Sequence, residues 1–157
     1  MRSPTRGETY IYVEASPVRV YQLVSDITRM GEWSPETYLC TWVDGATGPV
    51  VGARFKGHNR RGLLRWSNTP EVIAAAPGRE FAFRRVVLGN EVHWRYRMQP
   101  DGSGTRLSES YEVLTPSPGW MNRLVGLLMG VNDREADLLL GMRTTLERMR
   151  YALERSA

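Results

Sequence analysis

The chain has a single cysteine, Cys40, in 157 residues. No internal disulfide can form, and a lone thiol fits a reducing compartment, so the expected location is cytoplasmic. Histidine is almost as scarce. His58 and His93 both fall on outward strand faces by the alternation described below, which leaves neither an expected metal site nor a catalytic imidazole. No stretch of about 18 apolar residues runs without a charge, so no segment is expected to span a bilayer. The N-terminal MRSPTRGETYIYV lacks the apolar run of a signal peptide. Lysine is nearly missing: 20 of the 21 basic residues are arginine. They are scattered among 17 acids, so a net charge of +4 does not gather into a nucleic-acid footprint. Gly-x-Ser-x-Gly, His-Glu-x-x-His, paired Cys-x-x-Cys, Walker-type and dinucleotide glycine motifs are all missing, and no cofactor is expected. Asp44-Gly45-Ala46-Thr47-Gly48 reads as a turn, with no Gly-Lys-Ser/Thr after it to make a phosphate cradle.

What is present organises around the C-terminal end. In Asp133–Leu153, Leu138, Leu139, Met142, Leu146, Met149 and Leu153 recur at steps of one, three or four, which predicts one apolar stripe on a helix. Arg134, Asp137, Arg143, Glu147, Arg148, Arg150 and Glu154 fall mainly on the other side, with Arg143/Glu147 and Arg150/Glu154 four apart. Asn132 is the expected N-cap, with Glu135 three residues on. At 1.5 Å per residue such a helix is roughly 30 Å long, and a wide apolar surface must cover its stripe.

Upstream residues supply that surface. Glu8–Glu14 predicts a strand, with Tyr10 and Tyr12 on one face and Thr9, Ile11 and Val13 on the other. Ser16-Pro17 opens a helix running to Ser25. Asp26 caps a short turn, Ile27–Met30, stopped by Gly31. Further strands are predicted near Tyr38–Val43, Ala53–Arg60, Leu64–Ser67 running on to Glu71–Ala75, Glu80–Val87, Glu91–Met98 and Thr105–Leu114. Gly and Asn punctuate them, with Gly89-Asn90 and Pro100-Asp101-Gly102 read as hairpin loops. The expected architecture is α+β: a curved antiparallel sheet of about six or seven strands around a long C-terminal helix. Two short helices follow strand one. One domain over 1–157 is expected, with an ordered core at about 8–153.

Alternation sorts the strand faces. Ala53, Phe55, Gly57 and Asn59 turn inward, as do Phe81 and Phe83 against Arg84. Val92, Trp94, Tyr96 and Met98 share an inward face, and so do Thr105, Leu107, Glu109, Tyr111 and Val113. Asn59 and Glu109 are then polar groups among aromatics, which need partners or water. Two readings stand side by side. The aromatics pack solid and Asn59 and Glu109 satisfy each other, or one helix cannot fill the concavity and a ligand occupies it.

These residues resemble a family. The strand, the Ser16-Pro17 helix, Asp26-Ile27 through Gly31-Glu32-Trp33-Ser34-Pro35-Glu36, Gly52-Ala53-Arg54-Phe55 and Gly57-His58-Asn59-Arg60 look like the START/Bet v 1-like helix-grip superfamily. Trp66, Gly104-Thr105-Arg106 before Glu109-Ser110, and Gly141-Met142 with Leu146 fit it as well. Within it the chain is similar to the bacterial branch of polyketide cyclase/dehydrase or lipid-transport proteins. The resemblance implies a β-α-α-β-β-β-β-β-β-α order and an apolar cavity between sheet and long helix. It is unspecific for function, because the fold hosts carriers, receptors and enzymes alike.

The expected ligand is a small hydrophobic molecule, lipid-like or polyketide-like. Its expected wall is Trp33, Phe55, Asn59, Trp66, Phe83, Trp94, Tyr96, Glu109, Tyr111, Leu128, Leu138 and Met142, in a carrier or sensor. The alternative is a polyketide cyclase or dehydratase with Glu109 as general acid/base, since a carboxylate facing aromatics has a raised pKa unless a cation or several donors reach it. Against that stands Glu109 as a structural anchor bonded to Asn59 or Trp66. Cys40 reads as a small buried hydrophobe. Trp120–Val131 (WMNRLVGLLMGV) is apolar all round and too short to span a bilayer. It is expected as buried packing first, otherwise as a cover over the cavity or a patch touching a membrane or second subunit. Monomer and homodimer both remain open.

Overall fold

The structure is a computed structural model and describes residues 5–156. β1 (Arg6–Val13) leads into α1 (Pro17–Val24) and a 3-10 helix (Ile27–Glu32). Then come β2 (Thr37–Val43), β3 (Arg54–Arg61), β4 (Leu64–Asn68), β5 (Glu71–Ala76), β6 (Glu80–Val87), β7 (Asn90–Asp101) and β8 (Gly104–Thr115). α2 (Gly119–Met129) and α3 (Arg134–Arg155) close the chain. All strand pairings are antiparallel, in the order β1-β8-β7-β6-β5-β3-β2, with β4 attached to β3. This is the expected helix-grip arrangement, a curved sheet holding α3.

Local chemistry explains the boundaries, and in four places corrects the expectation. Ser16 caps α1, accepting from the Arg19 amide, and Pro17 stands at the first turn, where its missing N–H is harmless. The cap of α3 is Asp133 rather than Asn132: its side chain accepts from the Ala136 amide, and its negative charge suits the helix start better than a neutral amide. The segment expected to run from Leu64 to Ala75 breaks between Asn68 and Glu71. Pro70 has no N–H to give the ladder, and its carbonyl accepts from the Phe55 amide instead. The turn expected at Gly89-Asn90 lies one residue earlier. Val87 pairs with Asn90, so Leu88 and Gly89, at φ of 50° and 78°, make the two-residue loop that a twisted hairpin favours. Of the surface pairs expected on α3, Glu154 turns away from Arg150 to accept from the Glu14 amide.

The core is unevenly distributed along α3. Its C-terminal half buries Leu146, Met149 and Leu153 against α1 and the 3-10 helix, through Val20, Leu23, Val24 and Ile27, and against Phe81, Met98 and Leu107 of the sheet. Toward the N-terminal half the packing thins to a small cluster of Val92, Tyr111 and Met142, with Trp94, Leu138 and Leu139 half-buried around it.

Candidate functional site

The thinning leaves a cavity of about 440 Å³ between β3, β4, β6, β7 and β8 on one side and α2 and α3 on the other. That is within the range of small-molecule sites. Sheet register lays its floor in three rungs. The first is Phe81–Tyr96–Glu109, of which Tyr96 and Glu109 reach the cavity while Phe81 stays in the closed core; the second is Phe83–Trp94–Tyr111 and the third Arg85–Val92–Val113. Successive rungs are two residues apart along each strand, so the outer two are separated by about 13 Å. Phe55 meets Phe83 edge-on at 5.2 Å, and Trp94 and Tyr111 lie 5.4 Å apart, both ordinary aromatic-pair distances. Gly57, also on the wall, has no side chain to fill the space in front of it.

Ten of the twelve residues expected on the wall stand there: Phe55, Asn59, Trp66, Phe83, Trp94, Tyr96, Glu109, Tyr111, Leu138 and Met142. Trp33 does not. It ends the 3-10 helix, lies under the Arg29 guanidinium, belongs to the closed core and borders a separate depression with Arg148 and Tyr151. Leu128 does not either. α2 presents Met121, Val125, Gly126 and Met129 to the cavity, a spacing of about four that leaves Leu128 off the stripe. The Leu128 carbonyl instead accepts from the Leu63 amide at the β3–β4 hairpin. α2 is therefore not the buried helix expected first. One face covers the cavity, and Trp120, Leu124 and Leu127 on the other are exposed.

Glu109 is 4% exposed. Its Oε1 accepts from the Tyr96 hydroxyl at 2.9 Å, while Oε2 is buried with no partner among the described residues. Burial pushes its pKa up to about 8, against which the Tyr96 bond lowers it. At neutral pH the carboxyl is therefore mostly protonated and offers an O–H. Burial, followed by the Glu109 charge, holds Tyr96 well above the usual phenol range. The Tyr111 hydroxyl, two residues along the same face, is a second buried polar atom without a partner among the described residues. Asn59 and Glu109 do not satisfy each other. Asn59 Oδ1 accepts from the Thr37 hydroxyl at 2.6 Å, and its amide points to the Trp66 carbonyl at 3.5 Å. Glu109 is thus not anchored by Asn59 or Trp66.

Cys40 also reaches the cavity wall, and burial pushes its thiol up to about 12, which keeps it unreactive. Toward α3, Arg134 grips Glu36 through both carboxylate oxygens at 3.0 and 3.2 Å and Asp137 at 2.8 Å. Asp137 also accepts from Arg61. Burial would raise the Asp137 pKa, but Arg61 and Arg134 outweigh it and hold the group low. His93 pairs with Glu91 at 2.8 Å. Among the described residues no group of three His, Cys, Asp or Glu side chains is placed to hold a metal ion.

The residue that alternation should have found is Arg85. Phe81, Phe83 and Arg85 share one parity on β6, and the cation stands on the cavity wall beyond the two aromatics.

Residues 4–154 match the family model described as polyketide cyclase/dehydrase and lipid transport. The chain belongs to this family. It is 36% identical to the Polyketide_cyc-like protein Cgl2372 of Corynebacterium glutamicum, over 98% of this chain and 94% of that one, with a TM-score of 0.63. The Zhui aromatase/cyclase of Streptomyces sp. R1128 shares the fold at a TM-score of 0.68 and 17% identity, over 96% and 93% of the two chains. A START superfamily protein of Mycobacterium smegmatis does so at 0.68 and 15%, over 98% and 100%. Among curated proteins the sequence finds no match. Among the described residues, no helix of this family member is long and apolar enough to cross a membrane.

Proposed function

We propose that this chain binds one small, mainly apolar molecule between the sheet and α3, as a cytoplasmic carrier or sensor. The observation that carries this reading is the cavity of about 440 Å³ floored by Phe83, Trp94 and Tyr111, a volume that the chain's own side groups leave open. Ligand surface buried there is worth about 25 cal/mol per Å² of apolar area, and the few polar groups would orient it. Membership of a family named for polyketide and lipid chemistry supports the same class of molecule. The test is native mass spectrometry on protein purified from its own host. A bound species of a few hundred daltons that dissociates on unfolding is expected; bare protein from repeated preparations under gentle conditions contradicts the reading.

A second reading rests on Glu109. A protonated carboxyl with a free Oε2, supported by Tyr96, is placed to donate to a carbonyl oxygen and to take a proton back, which is general acid/base work on a polyketide. The fold relative from Streptomyces carries the name aromatase/cyclase. In this reading Glu109→Gln abolishes turnover of a poly-β-keto substrate while leaving its binding intact, and an unchanged rate ends it.

A further inference from the structure

The charged groups on the cavity wall are few: Glu36, Arg85, Glu109 and Arg134. Glu109 is mostly neutral at pH 7, because burial raises it to about 8. Arg134 and Glu36 hold each other in the two-pronged pair described above, within a set where Arg61 and Arg134 face Glu36 and Asp137, two cations against two anions. Arg85 is the remainder. It is half-buried, and it makes no hydrogen bond and closes no ion pair among the described residues. Opposite it in the sheet stands Val92. Two outward arginines of the same strands differ: Arg84 has Glu71 at 3.7 Å and Arg95 has Glu80, while Arg97 is exposed to solvent. Burial, together with the nearby Arg134, pulls the Arg85 pKa down while Glu36 raises it, so an anion arriving there would relieve an unfavourable charge. A guanidinium presents paired N–H donors that match a carboxylate two-to-two.

We propose that the ligand is an amphipathic carboxylic acid, bound with its carboxylate on Arg85, its apolar body along the Phe83–Trp94–Tyr111 rung and an oxygen acceptor reaching Glu109. The inference rests on the cavity-binding reading and sharpens it to a chemical class. The spacing bounds the length: Arg85 and Glu109 stand on strands two apart, in rungs separated by about 13 Å along the strands and about 10 Å across them, which puts their backbones about 16 Å apart. Glu109 Oε2 and the Tyr111 hydroxyl, both buried and without a partner among the described residues, are polar groups on that wall that a bound molecule can engage.

The experiment compares 1-pyrenebutyrate with 1-pyrenebutanol, which share a ring system and differ in the terminal charge, by fluorescence titration at pH 7. Wild-type protein should bind the acid at least about tenfold more tightly than the alcohol, the scale of a charge-assisted contact. Arg85→Gln should erase that preference by weakening the acid about tenfold more than the alcohol. Arg85→Lys, which keeps the charge and loses the fork, should retain part of it. Circular dichroism and a thermal midpoint matching wild type show that both variants fold. Equal affinity of wild type for the two probes, or a preference that survives Arg85→Gln, overturns the inference and leaves the cavity reading intact. Failure of wild type to bind either probe overturns both.

Discussion

The two halves of α3 carry the same kind of apolar stripe and meet opposite fates. Around Leu146, Met149 and Leu153 the space is closed, because α1 and the 3-10 helix bring Val20, Leu23, Val24 and Ile27 against the same face. Around Leu138 and Met142 no such element exists, and α2 contributes Met121, Val125 and Met129 only as a cover. A helix facing a curved sheet therefore makes a core where a third layer arrives and a container where it does not. The hollow is a property of topology; the particular side chains decide what fits it.

The contrast can be broken by truncation. Leu146→Ala should cost about 2–5 kcal/mol, because it opens a void in close-packed surroundings. Leu138→Ala, half-buried beside a space already empty, should cost about 1 kcal/mol or less. Urea unfolding followed by tryptophan fluorescence reads both, and equal losses would mean that the upper half is as tightly packed as the lower.

Glu109 gives the next largest effect, and its sign is definite. Its pKa in the folded protein, about 8 against an ordinary 4.5, means that between these values the native state holds a proton that the unfolded chain has released. Its contribution to stability is complete below about pH 4.5 and is lost as pH rises through 8, at about 1.4 kcal/mol per pH unit. Glu109→Gln should flatten this decline and be more stable than wild type at pH 8.5, which urea midpoints at pH 5, 7 and 8.5 will check. Parallel curves for the two proteins would show that the carboxyl is not protonated in its pocket.

The smallest effect belongs to the cavity rim. Leu88 is 83% exposed and holds a left-handed φ of 50° that a side chain with a Cβ adopts at a cost of about 1 kcal/mol. Leu88→Gly should therefore raise stability by up to about 1 kcal/mol, read from the thermal midpoint. A fall would mean that the Leu88 side chain makes packing contacts that offset its backbone strain.

Much of the fold could be read from alternation and punctuation. Phe55, Trp94, Tyr96 and Tyr111 declare their face by parity, and Ser16-Pro17 declares its helix. The site was legible where it rests on strand parity and obscure where it rests on how elements meet. Trp33 and Trp94 are the same residue type, and only the docking of the 3-10 helix sends one to the core and the other to the cavity. Leu128 was lost to helix phase, since a segment apolar all round carries no stripe to say which side faces in. Arg85 shares the parity of Phe81 and Phe83, and a single strand does not reveal that the space in front of its outer end is open enough to take a charge. That Glu109 pairs with Tyr96 rather than Asn59 follows from the β7–β8 register, which single strands do not reveal.

The central claim is that the upper half of the grip is an open, ligand-sized space. Gly57 tests it directly. It lies on the cavity wall with no positive φ; an added Cβ would press on Asn68 Oδ1 at 3.2 Å, the end of a side chain that must give by a few tenths of an ångström, and would meet the Cys40 sulfur at 3.6 Å and a methyl of Thr37 at 3.9 Å in ordinary contact. Wild type should bind 1-pyrenebutanol one-to-one, and Gly57→Leu should keep the fold by circular dichroism and abolish that binding. Binding that persists unchanged in a folded Gly57→Leu protein would contradict the account.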